Sequence, residues 1–261
     1  MDIDLKGKGA LVTGGSLGIG KATAAYLAQH GASVAIVARD PKRLEDAARE
    51  LQRNSGGKVV PLPGDTSKPE DIARVIAEAN KQLGKIDILI NNAGSSPAGR
   101  IQDISDQTWA YSFNLKFMGY VRCAREVLPP MRQRKWGRIV NIIGRGGHYP
   151  TAGYVTGAFN AALRHFTQAL GEEAGPDNVT VNGINPGATD TPRLRTLQTQ
   201  MAKFRGISAA EIAAEEIKRI PLGKVGTAED IAAMALFLCS EHAGFISGTL
   251  INIDGASTKM P

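Results

Sequence analysis

Cysteine is scarce in this chain, with two in 261 residues. Two thiols make no disulfide framework, and the apolar, helix-like surroundings of Cys123 and Cys239 predict buried, reduced side chains in a reducing compartment. Aromatic residues make up 5% of the chain, and none are interleaved with a basic stripe, as nucleic-acid binding would require. No apolar run reaches the length of about eighteen residues that a membrane span needs. Proline- or serine-rich linkers, low-complexity tracts and internal repeats are missing, so a single domain over residues 1–261 is expected. The start, Met1-Asp2-Ile3-Asp4-Leu5-Lys6, has acidic residues where a secretory signal has an apolar stretch. A soluble, cytoplasmic protein is the expectation.

Positive charge is in excess, at a formal +6. The basic residues are scattered, with small clusters at Arg132, Arg134, Lys135 and Arg138 and at Arg193 and Arg195. A solvated face is the expected reading of these clusters. A phosphorylated cofactor or an acidic substrate is the other reason for such an excess.

The most informative stretch is Leu11-Val12-Thr13-Gly14-Gly15-Ser16-Leu17-Gly18-Ile19-Gly20. An apolar strand runs into a glycine-rich turn that opens a helix expected to run from Gly18 to about Ala28. The glycines permit close backbone approach, and the first helical amides present unpaired N–H groups to an anion. The spacing is G-x-x-x-G-x-G, and the order strand, turn, helix favours a diphosphate site over a plain tight turn.

Short apolar runs alternate with helical patterns to the end of the chain. Strands are expected at 34–38, 59–62, 87–90, 138–143, 179–184 and 249–253. Asp40-Pro41 begins a helix to about Arg53, Ser67 and Pro69 open one to about Leu83, and longer helical regions span 106–134 and 153–174. Thr227 caps a last helix. Strands that alternate with helices imply an α/β fold, a doubly wound parallel sheet of about seven strands with helices on both faces. Ligands in such sheets bind at the carboxyl ends of the strands. The glycine turn, Asp65, Asn91-Asn92-Ala93-Gly94, the Ile143 region and Pro186-Gly187 all fall there.

These pieces together resemble the short-chain dehydrogenase/reductase family over essentially the whole chain. The matching motifs are Thr13 to Gly20, Asp65, Asn91 to Gly94, Asn114, Gly137 to Ile142, Pro186-Gly187 with Thr191, and Ile253-Asp254-Gly255. The second half, with Ile220 to Gly226, resembles the β-ketoacyl carrier-protein reductase-like members. The resemblance implies a Rossmann-like domain, usually a homotetramer, that moves hydride between a nicotinamide cofactor and a small carbonyl or alcohol. It places Gly14, Ser16, Leu17, Gly18 and Ile19 along the adenosine phosphates, Asp65 and Thr66 beside adenine, and Asn92, Ala93 and Gly94 along the adenosine ribose. Ile142 joins the same lining. Pro186, Gly187, Thr189 and Thr191 fall at the nicotinamide end, although Thr191 also reads as a helix cap.

Cofactor choice can be argued from charge. NAD-specific members place a carboxylate at the end of the second strand. Here Ala38 stands there, followed by Arg39, whose guanidinium pairs with a ribose phosphate that a carboxylate would repel. Arg39 therefore favours NADP over NAD, against the bland reading of a solvent-facing arginine.

The family's chemistry uses a serine, a tyrosine and a lysine four residues after the tyrosine, with an asparagine near the proton path. A tyrosine with pKa ~10 is a poor base at neutral pH until a neighbouring lysine lowers that value. This chain keeps Asn114 and departs from the rest. The serine position reads Gly144. Aligning Ala161-Ala162-Leu163 puts Thr156 at the tyrosine position and Asn160 at the lysine position. The other register takes Tyr154 as the tyrosine and leaves Ala158 at the lysine position. Asn114 and Tyr154 are the catalytic candidates, and His148 and Arg145 are polar neighbours that can substitute for the missing groups.

A helical insertion at about 191–220 carries Leu194, Leu197, Met201, Phe204, Ile212, Ile217 and Ile220 at helical spacing. It reads as a flap over the nicotinamide end. Two functions compete on these residues. One is an NADP(H)-dependent oxidoreductase with an atypical acid–base site, and the other is a dinucleotide-binding sensor or assembly protein without turnover. No metal site is expected.

Overall fold

The computed structural model describes residues 2–147 and 149–258. Seven parallel strands form one sheet in the order β3-β2-β1-β4-β5-β6-β7. They are β1 (Gly9–Thr13), β2 (Ser33–Ala38), β3 (Val59–Pro63), β4 (Ile88–Asn91), β5 (Gly137–Ile142), β6 (Val179–Pro186) and β7 (Leu250–Ile253). The chain winds outward from β1 to β3, then returns to the middle and winds the other way from β4 to β7. β1 and β4 are neighbours, so the winding reverses between them and opens a crevice at their carboxyl ends.

The strands are mostly apolar because both of their faces are covered. Ala10 and Val12 of β1, with Ile88 and Ile90 of β4, pack on the face covered by α1 (Gly18–Gln29), α2 (Pro41–Ser55) and α9 (Ala228–Cys239). Leu11 and Leu89, the residues between, pack on the opposite face against α3 (Pro69–Leu83), α5 (Gly119–Gln133) and α6 (Ala158–Ala174). Successive strand side chains point to opposite faces, so a strand buried on both sides is mostly apolar, and the polar residues it does carry, such as Asn91 and Asn141, are hydrogen-bonded.

The helix boundaries follow local chemistry. Asp40 accepts from the Arg43 amide at 3.1 Å and Pro41 begins α2. Thr227 and Asp230 close a reciprocal capping box on α9. Ser67 does not cap α3: Lys68 holds the N-cap position without a side-chain bond, and the Ser67 amide donates to Asp65 instead. The region expected as one helix over 106–134 is α4 (Asp106–Ser112), a π-turned segment (Phe113–Met118) and α5. The two remaining helices, α7 (Pro192–Arg205) and α8 (Ala209–Lys218), occupy the expected insertion.

The basic cluster expected on a solvated face is partly internal. Arg138 is 1% exposed. It donates to the carbonyls of Gly137 and Asn178, lies over the Trp136 ring and faces Glu241 at 3.4 Å. Arg132 pairs with Glu173 and Asp177, Lys135 with Asp177, and Arg134 with Asp87. These cations tie strand and helix ends together, which charge counting along the sequence does not reveal.

Cys123 and Cys239 are free and buried. Desolvation pushes both thiols up to about 12, with a neighbouring arginine opposing weakly. The thiolate is the reactive species. A disulfide-exchange reagent at pH 8 is expected to label neither cysteine in the native protein and both after denaturation. Native labelling of either contradicts this packing.

Candidate active site

The β1–α1 turn is built to leave backbone amides open. Gly14 has φ +67°. Leu17 at the N-cap is extended and makes no side-chain cap bond, and the first turn of α1 contains no acidic residue. The first amides of a helix have no intrahelical partner, and the helix dipole favours negative charge there. The turn is held from behind. Asn92 Nδ2 donates to Thr13 O at 3.0 Å and Gly14 O at 3.2 Å. Thr13 Oγ1 accepts from the Asn92 and Ala93 amides and donates to Ile90 O. The Asn92 Nδ2 group is thus engaged in joining the turns after β1 and β4.

A cleft of about 850 Å³ runs over this turn. Gly14, Ser16, Leu17, Gly18, Ile19, Arg39, Thr66, Asn92, Ala93, Gly94, Ile142, Pro186, Gly187, Thr189 and Thr191 all line it. Asp65 does not. Its carboxylate accepts from the Ser67 amide at 2.9 Å and its amide donates to Asp71. Thr191 lines the cleft, and its Oγ1 accepts from the Leu194 amide as the α7 cap. The terminal motif acquires a reason: a β-carbon on Gly187 would lie 2.7 Å from Asp254 Cα, so the chain after β7 packs directly behind the Pro186-Gly187 turn.

At the β2 end, exposed Arg39 donates to the Tyr111 hydroxyl, and Arg43 lines the cleft beside it. Arg43 was not expected from the sequence. Its position one turn into α2, three residues after the capping Asp40, was the available signal. Burial and then Asp65 raise the Tyr111 pKa, with Arg39 opposing. The phenol therefore stays neutral and leaves the guanidinium its charge. A dinucleotide fits this cleft: its volume lies within the usual range for cofactor sites, the α1 amides are uncapped, and buried Thr66 Oγ1 on its wall has no partner.

The opposite end carries the departures. Gly144 stands where a serine was expected, and Asn160 Nδ2 lies 3.4 Å from the position a Gly144 β-carbon would take. Thr156 is fully buried and donates to Pro97 O at 2.7 Å, turned away from the cleft. Tyr154 does line the cleft. Its ring packs on Gly146, where a β-carbon would come within 2.5 Å of Cε1. Asn114 does not line the cleft; it donates to Ala110 O at 3.0 Å and accepts from Arg122 at 3.0 Å. Arg145 is likewise outside it, bonded to Ser257 and facing Glu216 at 3.7 Å. His148 lies outside the described residues. Lys116, on the π-turned segment, lines this end and was missed; a lysine within the apolar run Phe113 to Met118 was the signal.

The flap is anchored over the same end. Leu194 and Leu197 line the cleft, Phe204 packs on Gly153, and Ile212 and Ile220 are buried. Ile217, expected on the same stripe, is 39% exposed. Arg193 donates to Ser96 O at 2.5 Å and Gln200 accepts from the Ala98 amide.

An uncapped helix start at the crevice of a doubly wound sheet, in a cleft of this size, defines a dinucleotide-binding α/β protein. The family model described as short chain dehydrogenase matches residues 8–202, and the chain belongs to that family. It is 32% identical over 252 residues to the NADPH-dependent reductase BacG of Bacillus subtilis (strain 168), covering 96% of this chain and 97% of the relative. It is 34% identical over 257 residues to the 3-oxoacyl-[acyl-carrier-protein] reductase FabG of Pseudomonas aeruginosa, covering 97% and 98%. The structure of L-sorbose reductase from Gluconobacter frateurii, complexed with NADPH and L-sorbose, superposes with a TM-score of 0.92 at 33% identity and covers all of both chains.

Proposed function

We propose that this chain is an NADP(H)-dependent oxidoreductase that interconverts a small carbonyl compound and its alcohol. One observation carries the reading: the uncapped α1 amides and Arg39 share a single cleft with Tyr154. The α1 amides hold the diphosphate, Arg39 and Arg43 face the ribose phosphate, and Pro186 to Thr191 hold the nicotinamide end. The bound cofactor supplies the hydride. Tyr154 donates a hydrogen bond to the reacting oxygen, while Asn114 stays outside the cleft, bonded to Ala110 O and Arg122. Leu194 and Leu197 of the flap exclude water and favour a partly apolar substrate. The competing reading, binding without turnover, rests on Gly144, Thr156 and Asn160. The relatives, named as reductases, weigh against it.

The proposal extends to a single domain and to a homotetramer or homodimer. Phe113, exposed beside half-buried Trp109 and packed on buried Phe159, supports the assembly. The two free thiols support a reducing, cytoplasmic location. No helix among the described residues is long and apolar enough to cross a membrane.

The test combines calorimetry and turnover. NADPH is expected to bind more tightly than NADH, and NADPH oxidation is expected with at least one member of a carbonyl panel. A charge-assisted arginine–phosphate contact contributes about 1.5–3 kcal/mol, so Arg39→Ala should weaken NADPH binding roughly tenfold or more and leave NADH binding within about twofold. Equal losses for both cofactors would remove Arg39 from the selectivity argument. Failure to bind either cofactor would end the functional reading.

A further inference from the structure

At the nicotinamide end of the cleft, an amine stands close to the vacated catalytic positions. Lys116 Nζ donates to Ile143 O at 2.6 Å, one residue before Gly144. Its stem crosses Gly94: a β-carbon there would meet Lys116 Cδ at 3.0 Å and Cγ at 3.1 Å. The amine is thus held between the turn after β4 and the end of β5, on the cleft wall. An ammonium has three donors, and the Ile143 bond uses one of them. No carboxylate pairs with it among the described residues.

The surroundings of Lys116 are short of negative charge. The turn after β4 and the end of β5 bring no titratable side chain to it. α7 brings Arg193, and the segment before α6 brings Tyr154 to the same end of the cleft. Desolvation first, and repulsion by Arg193 second, push the Lys116 ammonium down to about 7. Lysine shifts readily on burial and then serves as an acid or a base near neutral pH.

We propose that Lys116 is the acid–base residue of this protein, replacing the groups absent at Thr156 and Asn160. The inference rests on the hydride-transfer reading above. In reduction, the carbonyl carbon gains hydride from the dihydronicotinamide of NADPH. The oxygen takes a proton from Lys116, whose N–H bond breaks as the O–H bond forms. The neutral amine then recovers a proton from solvent. In oxidation the neutral amine accepts the hydroxyl proton. Tyr154 orients the oxygen, and Arg193 keeps the amine easy to deprotonate.

Two readouts test this. The first needs no turnover: competitive acetylation by acetic anhydride across pH 6–10, read by mass spectrometry. Lys116 is expected to react with a midpoint near 7, well below the other lysines, and to be protected by saturating NADPH. A midpoint above about 9, or no protection, overturns the proposal. The second uses ethyl acetoacetate and 9,10-phenanthrenequinone as probe carbonyls. Lys116→Met should keep NADPH affinity within about threefold and lower kcat by about 10²–10⁴. Lys116→Arg retains charge but cannot release a proton, so it should be equally impaired. Wild-type kcat for reduction should fall as pH rises through about 7. Full activity in either variant overturns the proposal. Absence of NADPH binding, or of wild-type turnover with any carbonyl, counts against the functional reading; the acetylation midpoint then still decides whether Lys116 is a near-neutral amine facing the cofactor cleft.

Discussion

Gly20→Ala is expected to abolish detectable NADPH binding. A β-carbon at Gly20 would lie 2.3 Å from Gly14 O and 2.4 Å from Asn92 Nδ2. Neither neighbour is free to retreat. Gly14 O and Thr13 O hold the Asn92 amide, and that amide fixes the turn after β4 against the turn after β1. The first turn of α1 must therefore swing outward, carrying its amides off the phosphate path. Overpacking of this kind typically costs about 1–3 kcal/mol of stability, and the displaced amides should lower affinity at least 100-fold. Fluorescence titration with NADPH and a thermal melt measure the two effects separately. Gly175→Ala is the control: it has open space around its β-carbon position, and it is expected to change neither quantity. A Gly20→Ala protein that binds NADPH normally would mean the turn is far more pliable than its contacts indicate.

The second large effect is expected at Asn141, beneath the site. Asn91 Nδ2 donates to Asn141 Oδ1 at 2.9 Å, and Asn141 Nδ2 donates to Thr167 Oγ1 at 2.9 Å. Thr167 in turn donates to Leu163 O. All three side chains are fully buried. This chain of bonds joins β4, β5 and α6 at the level where the strands meet the cleft. Asn141→Leu leaves Asn91 Nδ2 with a single long contact, Tyr120 O at 3.5 Å. An unsatisfied buried donor costs about 1–3 kcal/mol, and network loss adds to it. A destabilisation of about 2–4 kcal/mol is expected in urea unfolding, with the m-value unchanged. Changing both asparagines to leucine should cost less than the sum of the single changes, because no orphaned partner remains. Additive losses would show that the bond between them contributes nothing.

The two positions differ in how far the sequence foretold them. Gly20 belongs to the glycine turn, whose spacing and place between a strand and a helix are visible in ten residues. Asn141 was visible only as one letter of a motif; its partners lie 26 and 50 positions away. The cofactor cleft was largely legible because backbone approach and helix starts are local properties. Arg39 was legible because it follows the end of a strand. Asp65 and Asn114 were placed from the same motifs, but their side chains bond within their own turn and helix rather than to the cleft. Whether a polar side chain faces a ligand or its own backbone is settled by rotamers and neighbours.

The sequence by itself determined the parallel sheet, the glycine turn at its first crossover, the family, and the absence, in either register, of a tyrosine followed four residues later by a lysine. These follow from residue type and local order, since periodicity, caps and glycines act over a few positions. Only the tertiary structure decided that the Lys116 amine stands on the cleft wall. Lys116 reaches Ile143 O because the helix after α4 runs through a π-turned segment beside Gly94, and the desolvation that makes its amine responsive near neutral pH comes from segments far apart in the chain. Burial and field are sums over space, and no reading along one dimension supplies them.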